Sequence, residues 1–595
     1  MNSLSVASAD DRGATWNISA EQPAPTKFAT ANWIDGFRRA ERRPIKGRDG
    51  GYQATARPAT PGPGDRHYDL KAANAKTATT ALARDLKSRH LQMIAFGGTI
   101  GTGLFVASGF SLYTSGPGNI LLSYILTGAM QYCTMQALGE LCVLFPIAGS
   151  FSTFSTRFLD PSWGFAMGWN YCLLWLFSLP LEIIAAAYTI SYWNEFLSKS
   201  IFITIFLLTI IVINLFGVKA YGEAEFIFAI IKVTAIIGFI LLGIVINIGG
   251  EPQSGYIGGQ YWRDPGPFKN GLKGFCSVLV SSCFSFGGTE LIGLAAAETT
   301  NPRKSLPTAI KQVFWRISIF YITALMLIGL LVPSNDPRLI SGKSSGDASA
   351  SPFVIAIESV GPTILPSVMN AIILVALISV GNSSIYSSSR TLVALAEQSH
   401  APQIFSYVDK QGRPLMAIIL ASCIGSMAYL VDIEAHDAIF NWLFSSCALS
   451  TVFAWVSICL CHIRFRKAWA YTSHSLEQLP FRSQVGVIGS WIGLAGYALV
   501  IISQIWIAAS PIETPGIDMS MSARVKNFFL YLMAIPIVLI FYICHKIWFR
   551  THWLGVDEIN VEIGRHYFRV HILTEQEQEE RLRWPSWKKI YRLLC

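Results

Sequence analysis

The feature that most constrains this chain is a recurrence. From Leu91 onward, apolar segments of about twenty residues follow one another with short polar breaks between them. A helix of that length rises about 30 Å, the thickness of the hydrocarbon layer of a bilayer. The segments lie near 91–112, 119–145, 163–193, 200–217, 225–249, 274–297, 310–332, 364–395, 415–431, 438–462, 487–509 and 527–548. They predict about 12 membrane-spanning helices, because a backbone in lipid has to satisfy its hydrogen bonds within its own segment. The third and eighth are long, which implies tilt or extension beyond the bilayer. Composition agrees: 52% of residues are hydrophobic and 14% charged, with a mean hydropathy of +0.42. That is too little charge to cover a water-facing surface on a chain of 595 residues.

The ends read differently. Residues 1–85 are polar, with the run Arg57-Pro58-Ala59-Thr60-Pro61-Gly62-Pro63-Gly64, and predict a disordered tail. They lack the short apolar core of a secretory signal, so the first membrane helix has to drive insertion. Residues 86–548 form the membrane domain and 549–595 a second tail. An even number of spans puts both tails on one side. Placing them in the cytosol gives roughly 17 basic residues inside against roughly 8 outside, as the positive-inside rule requires. Arg84, Lys87, Arg89, Arg303, Lys304, Arg464, Arg466, Lys467, Lys546 and Arg550 carry that asymmetry, while Asp432, Glu434 and Asp437 mark an outer loop. The net charge of +9 is thus an orientation signal, and no basic stripe interleaved with aromatics suggests nucleic acid. The eleven cysteines form no Cys-x-x-Cys pair. Most, such as Cys172, Cys276, Cys283, Cys447 and Cys459, lie inside apolar runs, where cysteine acts as a small hydrophobe, so neither a disulfide framework nor a metal site is expected.

Two segments are interrupted. The first contains Phe96-Gly97-Gly98-Thr99-Ile100-Gly101-Thr102-Gly103, and the sixth contains Phe286-Gly287-Gly288-Thr289-Glu290-Leu291-Ile292-Gly293. Crowded glycines let a helix unwind. A shared Phe-Gly-Gly-Thr five spans apart is the spacing of a five-plus-five inverted repeat with two broken helices at its interface. The alternative is a small-residue packing surface, since glycine also lets helices approach closely. A broken helix offers free N–H groups that suit a carboxylate and free carbonyls that suit an ammonium. A zwitterionic α-amino acid presents both.

Ionisable residues within spans are the second signal, because each is costly there. Glu182 sits mid-span beside Pro180, Lys232 interrupts Ala229-Ile230-Ile231-Lys232-Val233, and Glu290 lies on the broken sixth helix. Such groups serve proton coupling or gating in transporters. The structural alternative for Lys232 is a tie to carbonyls or snorkelling, which its depth of about eight residues makes awkward. For Glu182 a structural role beside a kinking proline is the alternative.

The ordered set of local motifs resembles the fungal amino acid permeases, a family of the amino acid–polyamine–organocation superfamily. The matching runs are Leu86-Lys87-Ser88-Arg89-His90-Leu91-Gln92-Met93-Ile94 before the first glycine run, then Glu182 with its Leu-Pro neighbours and Tyr256-Ile257-Gly258-Gly259. They continue with Phe284-Ser285-Phe286-Gly287-Gly288-Thr289-Glu290 and Ala297-Glu298-Thr299-Thr300-Asn301-Pro302-Arg303-Lys304. Ser388-Ser389-Arg390-Thr391-Leu392, Gly412-Arg413-Pro414 and Phe440-Asn441-Trp442-Leu443 complete them, covering roughly residues 86–550. The resemblance implies an all-α polytopic protein of about 12 helices, ten in a LeuT-like inverted-repeat core plus two at the C-terminal end.

It further implies that Thr99, Gly101, Thr102 and Gly103 bind the substrate α-carboxylate. Phe284, Ser285 and Phe286 would serve the α-ammonium, with Phe284 closing over the ligand. Lys232 falls where proton-coupled relatives hold a lysine. Leu174, Asn382, Ser446 and Cys447 would line the side-chain pocket, with Leu174 and Cys447 standing where some carriers of cationic amino acids have Ser or Thr. The last residue, Cys595, resembles a terminal cysteine open to lipidation, with Leu594 in place of the usual aromatic, and an unmodified thiol is the alternative. Lys27, Lys46 and Lys71 are candidate ubiquitin acceptors for a ligase acting on cytosolic tails.

The expected function is import of L-amino acids with a proton across the plasma membrane by alternating access, with lipid as the surrounding solvent and no cofactor. Two other classes compete. An amino acid sensor with little flux would favour a long interaction tail, and the tail here lacks recognisable interaction structure. A carrier of a polyamine or choline would not need the first-helix N–H array. An enzyme is the least supported class, as no nucleophile–base pair or phosphate-cradling loop follows a strand.

Overall fold

A computed structural model describes residues 38–40, 45–46, 52–53, 68–194, 196–249, 255–340, 351–359, 364–432, 436–512, 520–565 and 585. Cys595 and Lys27 lie outside the described residues. The described part is almost wholly helical. Its one sheet pairs β1 (Ile45–Lys46) with β2 (Tyr52–Gln53) antiparallel, Ile45 opposite Gln53.

The helices follow the apolar runs. After α1 (Leu70–Ala78), the first span is built from α2 (Ser88–Thr99), α3 (Thr102–Phe105) and α4 (Ala107–Ser115), bent by 43° at the Ile100-Gly101 break. Next come α5 (Pro117–Leu144), α6 (Ser150–Phe158), α7 (Pro161–Ile190), α8 (Lys199–Leu215) and α9 (Val218–Asn247). The sixth span is α10 (Gly271–Phe286) and α11 (Leu291–Ala295), separated by residues 287–290. Beyond it lie α12 (Pro302–Leu331), α13 (Pro352–Glu358), α14 (Ile364–Glu397), α15 (Leu415–Gly425), α16 (His436–Tyr471), α17 (Gly486–Ala509), α18 (Met521–Leu532) and α19 (Ala534–Phe549). Starts carry their usual signals: Pro161 opens α7 behind Asp160, whose carboxylate accepts from Ser162 N at 2.9 Å.

All twelve expected segments fall on helix. By length and apolarity, seven helices among the described residues suffice to cross a membrane, or nine when each of two bent pairs counts as one span. Two more, Lys199–Leu215 and Leu415–Leu430, are apolar but shorter. The 28-residue α5 is not among them, and its sequence carries Gln131, Gln136 and Glu140.

Burial separates a core from a rim. α7 and α14 pack along each other and are buried over most of their length. Pro180 does not break α7, which runs continuously past it. On α9 the buried residues form one stripe, including Tyr221, Glu225, Ala229, Lys232, Ile236 and Phe239, at steps of three and four. Its other face shows Ile227, Ile230, Ile237 and Leu241 outward. In water so many exposed aliphatic side chains would be a liability, whereas hydrocarbon accepts them.

The tails are partly built into this body, which corrects the expected disorder up to residue 85. Within 68–85, α1 buries Asn74 and Thr77, Thr77 O accepts from Ala148 N at 3.3 Å, and Leu82 packs against Ala148, Val393 and Val408. Lys71, on α1, is exposed. After α19 the chain folds back, and Leu554 N donates to Leu159 O at 2.9 Å. The buried Arg157 donates to the carbonyls of Asn560, at 2.8 Å, and Ile563 while its guanidinium lies over Phe145. Tyr68 meets His545 and Phe549 edge-on, so the two described ends share one face of the molecule.

Candidate substrate site at the two helix breaks

The breaks in the first and sixth spans meet each other. Gly288 has φ +96°, a left-handed value that glycine tolerates and side chains resist. A Cβ there would strike the backbone O of Gly98 and lie 2.7 Å from its C atom. The second glycine of each Phe-Gly-Gly-Thr therefore sits at the contact between the two interrupted helices. Tyr321 of α12 ties the breaks together, its hydroxyl reaching Thr99 O at 3.0 Å and Ser285 O at 2.9 Å. Gly103 lies where a Cβ would fall 2.7 Å from Ser285 Cα, so α3 and α10 also approach backbone to backbone.

The breaks enclose a space of about 20 Å³, lined by Gly98, Thr99, Gly101, Thr102, Gly103, Gly287 and Gly288 from the two interrupted spans. Phe284, Leu174 and Glu182 also line it, and Trp175, Ser178, Val380 and Thr451 join without having been anticipated. Thr102 Oγ1 donates to Glu182 Oε2 at 2.7 Å, so Glu182 is tethered to the start of α3. Phe284 packs its ring 4.5 Å from that of Phe444. Phe444 in turn lines a separate cavity of about 230 Å³ that shares Thr102 with the inner space. The aromatic pair is the partition between the two.

Other expected residues stand behind the lining. Ser285 Oγ bonds the Tyr124 hydroxyl at 2.8 Å, and Phe286 stacks on Tyr321 with centroids 5.1 Å apart. Cys447 Sγ donates to Leu174 O at 3.4 Å, and Ser446 is buried with no hydrogen-bond partner among the described residues. Glu290 points away from the space. Its carboxylate accepts from Gly288 N at 3.2 Å, Trp455 Nε1 at 3.1 Å and the Tyr171 hydroxyl at 3.3 Å, holding the sixth-span break in shape. Lys232, midway along α9 and fully buried, donates from Nζ to Gly97 O at 2.7 Å.

Buried ionisable residues beyond Glu182, Lys232 and Glu290 went unrecognised in the sequence, Glu140 on α5 and Glu225 on α9 among them. Glu225 is fully buried, and its carboxylate accepts from Ser379 Oγ and from Asn382 Nδ2, each at 2.7 Å. Asn382 is thus committed to Glu225 and to Asn214, whose Nδ2 it accepts at 2.8 Å, and does not line the substrate space. The available signal was spacing, since Glu225 lies seven residues before Lys232 on the buried stripe. It is the first residue of the segment read as 225–249.

This fold defines a polytopic membrane transporter with a candidate site where its two interrupted helices meet. A family model described as amino acid permease matches residues 90–557. The chain is 48% identical over 578 residues to the general amino-acid permease GAP2 of Candida albicans, with 96% of this chain and 94% of that one covered. It is 48% identical over 531 residues to the general amino-acid permease GAP1 of Saccharomyces cerevisiae, with 87% of each covered. To the cationic amino acid transporter 1 of Schizosaccharomyces pombe it is 45% identical over 523 residues, again with 87% of each covered. The chain belongs to the amino acid permease family, within the amino acid–polyamine–organocation superfamily. It is a transporter and not an enzyme.

Proposed function

We propose that this protein imports L-amino acids across the plasma membrane with a proton, by alternating access, with both tails in the cytosol. The observation that carries this reading is the meeting of two broken helices around one space, with Gly101 at the start of α3 and Phe284 at the end of α10. The N–H groups that open α3 suit an α-carboxylate at Thr99, Gly101, Thr102 and Gly103. The carbonyls of Phe284, Ser285 and Phe286 suit the α-ammonium. A space of about 20 Å³ has room for about one water molecule, so an amino acid enters only when its walls part. The larger cavity beyond the Phe284–Phe444 pair is the entry chamber. It borders Arg524 and Tyr531 on α18, away from the face where the two described ends meet.

Access on the opposite side is closed by buried contacts between α14 and the end of the sixth span. Arg390 Nε donates to Glu298 Oε1 at 3.0 Å with both residues buried. Opening that side requires this pair to separate or move as a unit. Lys232 couples the cycle to protons because it is buried beside the first-span break, where its ammonium holds Gly97 O. The relatives' names include general and cationic amino acid carriers, and the side walls of this site, Leu174, Trp175 and Val380, are apolar.

A competition uptake panel in permease-deficient cells tests the reading. Free L-amino acids compete with the labelled substrate and their α-amides do not, because the α3 N–H groups then lose their anion. Amides or bare amines competing as well as the parent acids overturn the assignment in favour of a polyamine-type carrier. Binding without uptake makes the protein a sensor.

A further inference from the structure

Resting on the reading of Lys232 as the coupling amine, we infer that Glu225 is the group to which Lys232 passes the transported proton on its way to the cytosolic side. Both residues are fully buried on the inward stripe of α9, two helical turns apart, or about 10 Å along the axis. They converge on one residue of the first span. Lys232 Nζ holds Gly97 O, while the Glu225 carboxylate occupies the volume that any side chain at position 97 would need. Gly97 is therefore glycine so that the carboxylate can stand against the break.

The order of groups gives the proton a direction. Glu182 lines the space between the breaks and accepts from Thr102, and the Glu225 carboxylate stands against Gly97, whose carbonyl Lys232 holds. Glu225 lies toward the start of α9. That end neighbours Arg413 at Gly217 and His90 at Gly222, on the side where the backbone of Arg39 bridges to that of Asp409 near the chain's N-terminal end. Facing Glu225 from the packed elements are Ser379, Asn382 and Ser383 of α14, and on its own helix Tyr221, whose hydroxyl bonds Ser383 Oγ at 3.0 Å. The Tyr221 ring stacks on Tyr386 with centroids 4.2 Å apart, and Tyr386 touches Glu298 at the inner closure. Glu182, Lys232, Glu225 and Tyr221 form a file from the substrate space to the inner gate.

Charge balance in the low-dielectric interior explains why two carboxylates flank one lysine. With all three ionised, the set carries one unmatched negative charge, and a single added proton cancels it. The transfer is conservative. With the added proton on Glu182, an Nζ–H bond of Lys232 breaks and an O–H bond forms on Glu225 by way of the Ser379 hydroxyl, which bonds Glu225 at 2.7 Å and reaches Gly97 O, the carbonyl that Lys232 holds, at 3.4 Å; all three groups are then neutral. The Glu225 O–H then breaks and its proton passes to cytosolic water when the inner side opens, while the proton held by Glu182 moves to Lys232 and restores the ammonium. One proton crosses per cycle.

The test uses full-length protein reconstituted in liposomes, comparing E225Q, E225D and K232M. E225Q is expected to lower substrate-induced proton influx at least tenfold, while exchange of labelled for unlabelled substrate stays within threefold of wild type. E225D, which keeps a titratable acid, retains proton influx. K232M with undiminished proton influx overturns the underlying reading of Lys232. Loss of influx in K232M with normal influx in E225Q overturns the role of Glu225 alone. If E225Q does not fold, substrate-induced infrared difference spectra carry the test. A protonated-carboxyl band that shifts in E225D supports the assignment, and an unshifted band overturns it.

Discussion

Replacing Gly288 with alanine isolates the contact on which the site depends. Two independent costs arise. The backbone at φ +96° suits glycine, and holding an L-residue there costs about 1–3 kcal/mol. The new Cβ also meets the O and C atoms of Gly98, which are backbone and cannot rotate away, and overpacking of this kind costs another ~1–3 kcal/mol. Together they amount to about 2–6 kcal/mol, and 1.4 kcal/mol corresponds to tenfold in an equilibrium, so the loss is at least about thirtyfold. The strain is confined to the junction of the two breaks, so transport falls further than surface abundance. Gly287→Ala is the control. Its φ of −55° suits any residue, and its Cβ would meet Phe284 O at 3.0 Å and Thr451 at 3.5 Å, a tight fit that a small shift relieves. Surface biotinylation measured beside initial uptake decides the matter. Gly288→Ala transporting within threefold of wild type at equal abundance refutes the argument. Equal loss in the two variants refutes it as well.

Gly103→Val drives a branched side chain into Ser285, whose Cα and Oγ would each lie 2.7 Å from the new Cβ, and is expected to abolish substrate binding while the protein still reaches the membrane. Parallel loss of abundance and activity, with normal activity per molecule, would instead favour a packing role for this glycine. Glu290→Ala leaves Gly288 N–H and the Trp455 indole N–H without their acceptor, at about 1–3 kcal/mol each, and lowers the melting temperature in detergent, with Glu290→Gln milder. Glu298→Ala strands a buried Arg390, costing about 3–5 kcal/mol, whereas Glu298→Leu with Arg390→Met is less harmful than either single change. Thermal unfolding of wild type, Glu298→Ala, the two other single variants and the double variant checks the order.

What can be read from the sequence alone is what depends on neighbours along the chain. The length of an apolar run decides whether a helix can span hydrocarbon, so all twelve segments fall on helix. A cluster of glycines weakens a helix wherever it stands, so the interruptions at Gly101 and at Gly287-Gly288 were visible, as were Glu182, Lys232 and Glu290, whose charges stand out against apolar surroundings. Partnership across the fold was not visible. Glu290 accepts from the Gly288 N–H of its own break, and Asn382 serves a carboxylate on another helix. Tyr321, an ordinary aromatic in an apolar run, joins the two breaks through its hydroxyl. The burial of Glu225 is imposed from outside α9, by Gly97 leaving room and by α14 supplying two donors. Residues 68–85 and 550–565 read as tail because they lack apolar runs, yet Thr77 and Arg157 fasten them by hydrogen bonds to backbone groups far away in sequence. Helix length and helix weakness are local properties of the chain. Which buried charge faces which, and how large a space the breaks enclose, depend on how separate helices pack, and only the tertiary structure decides that.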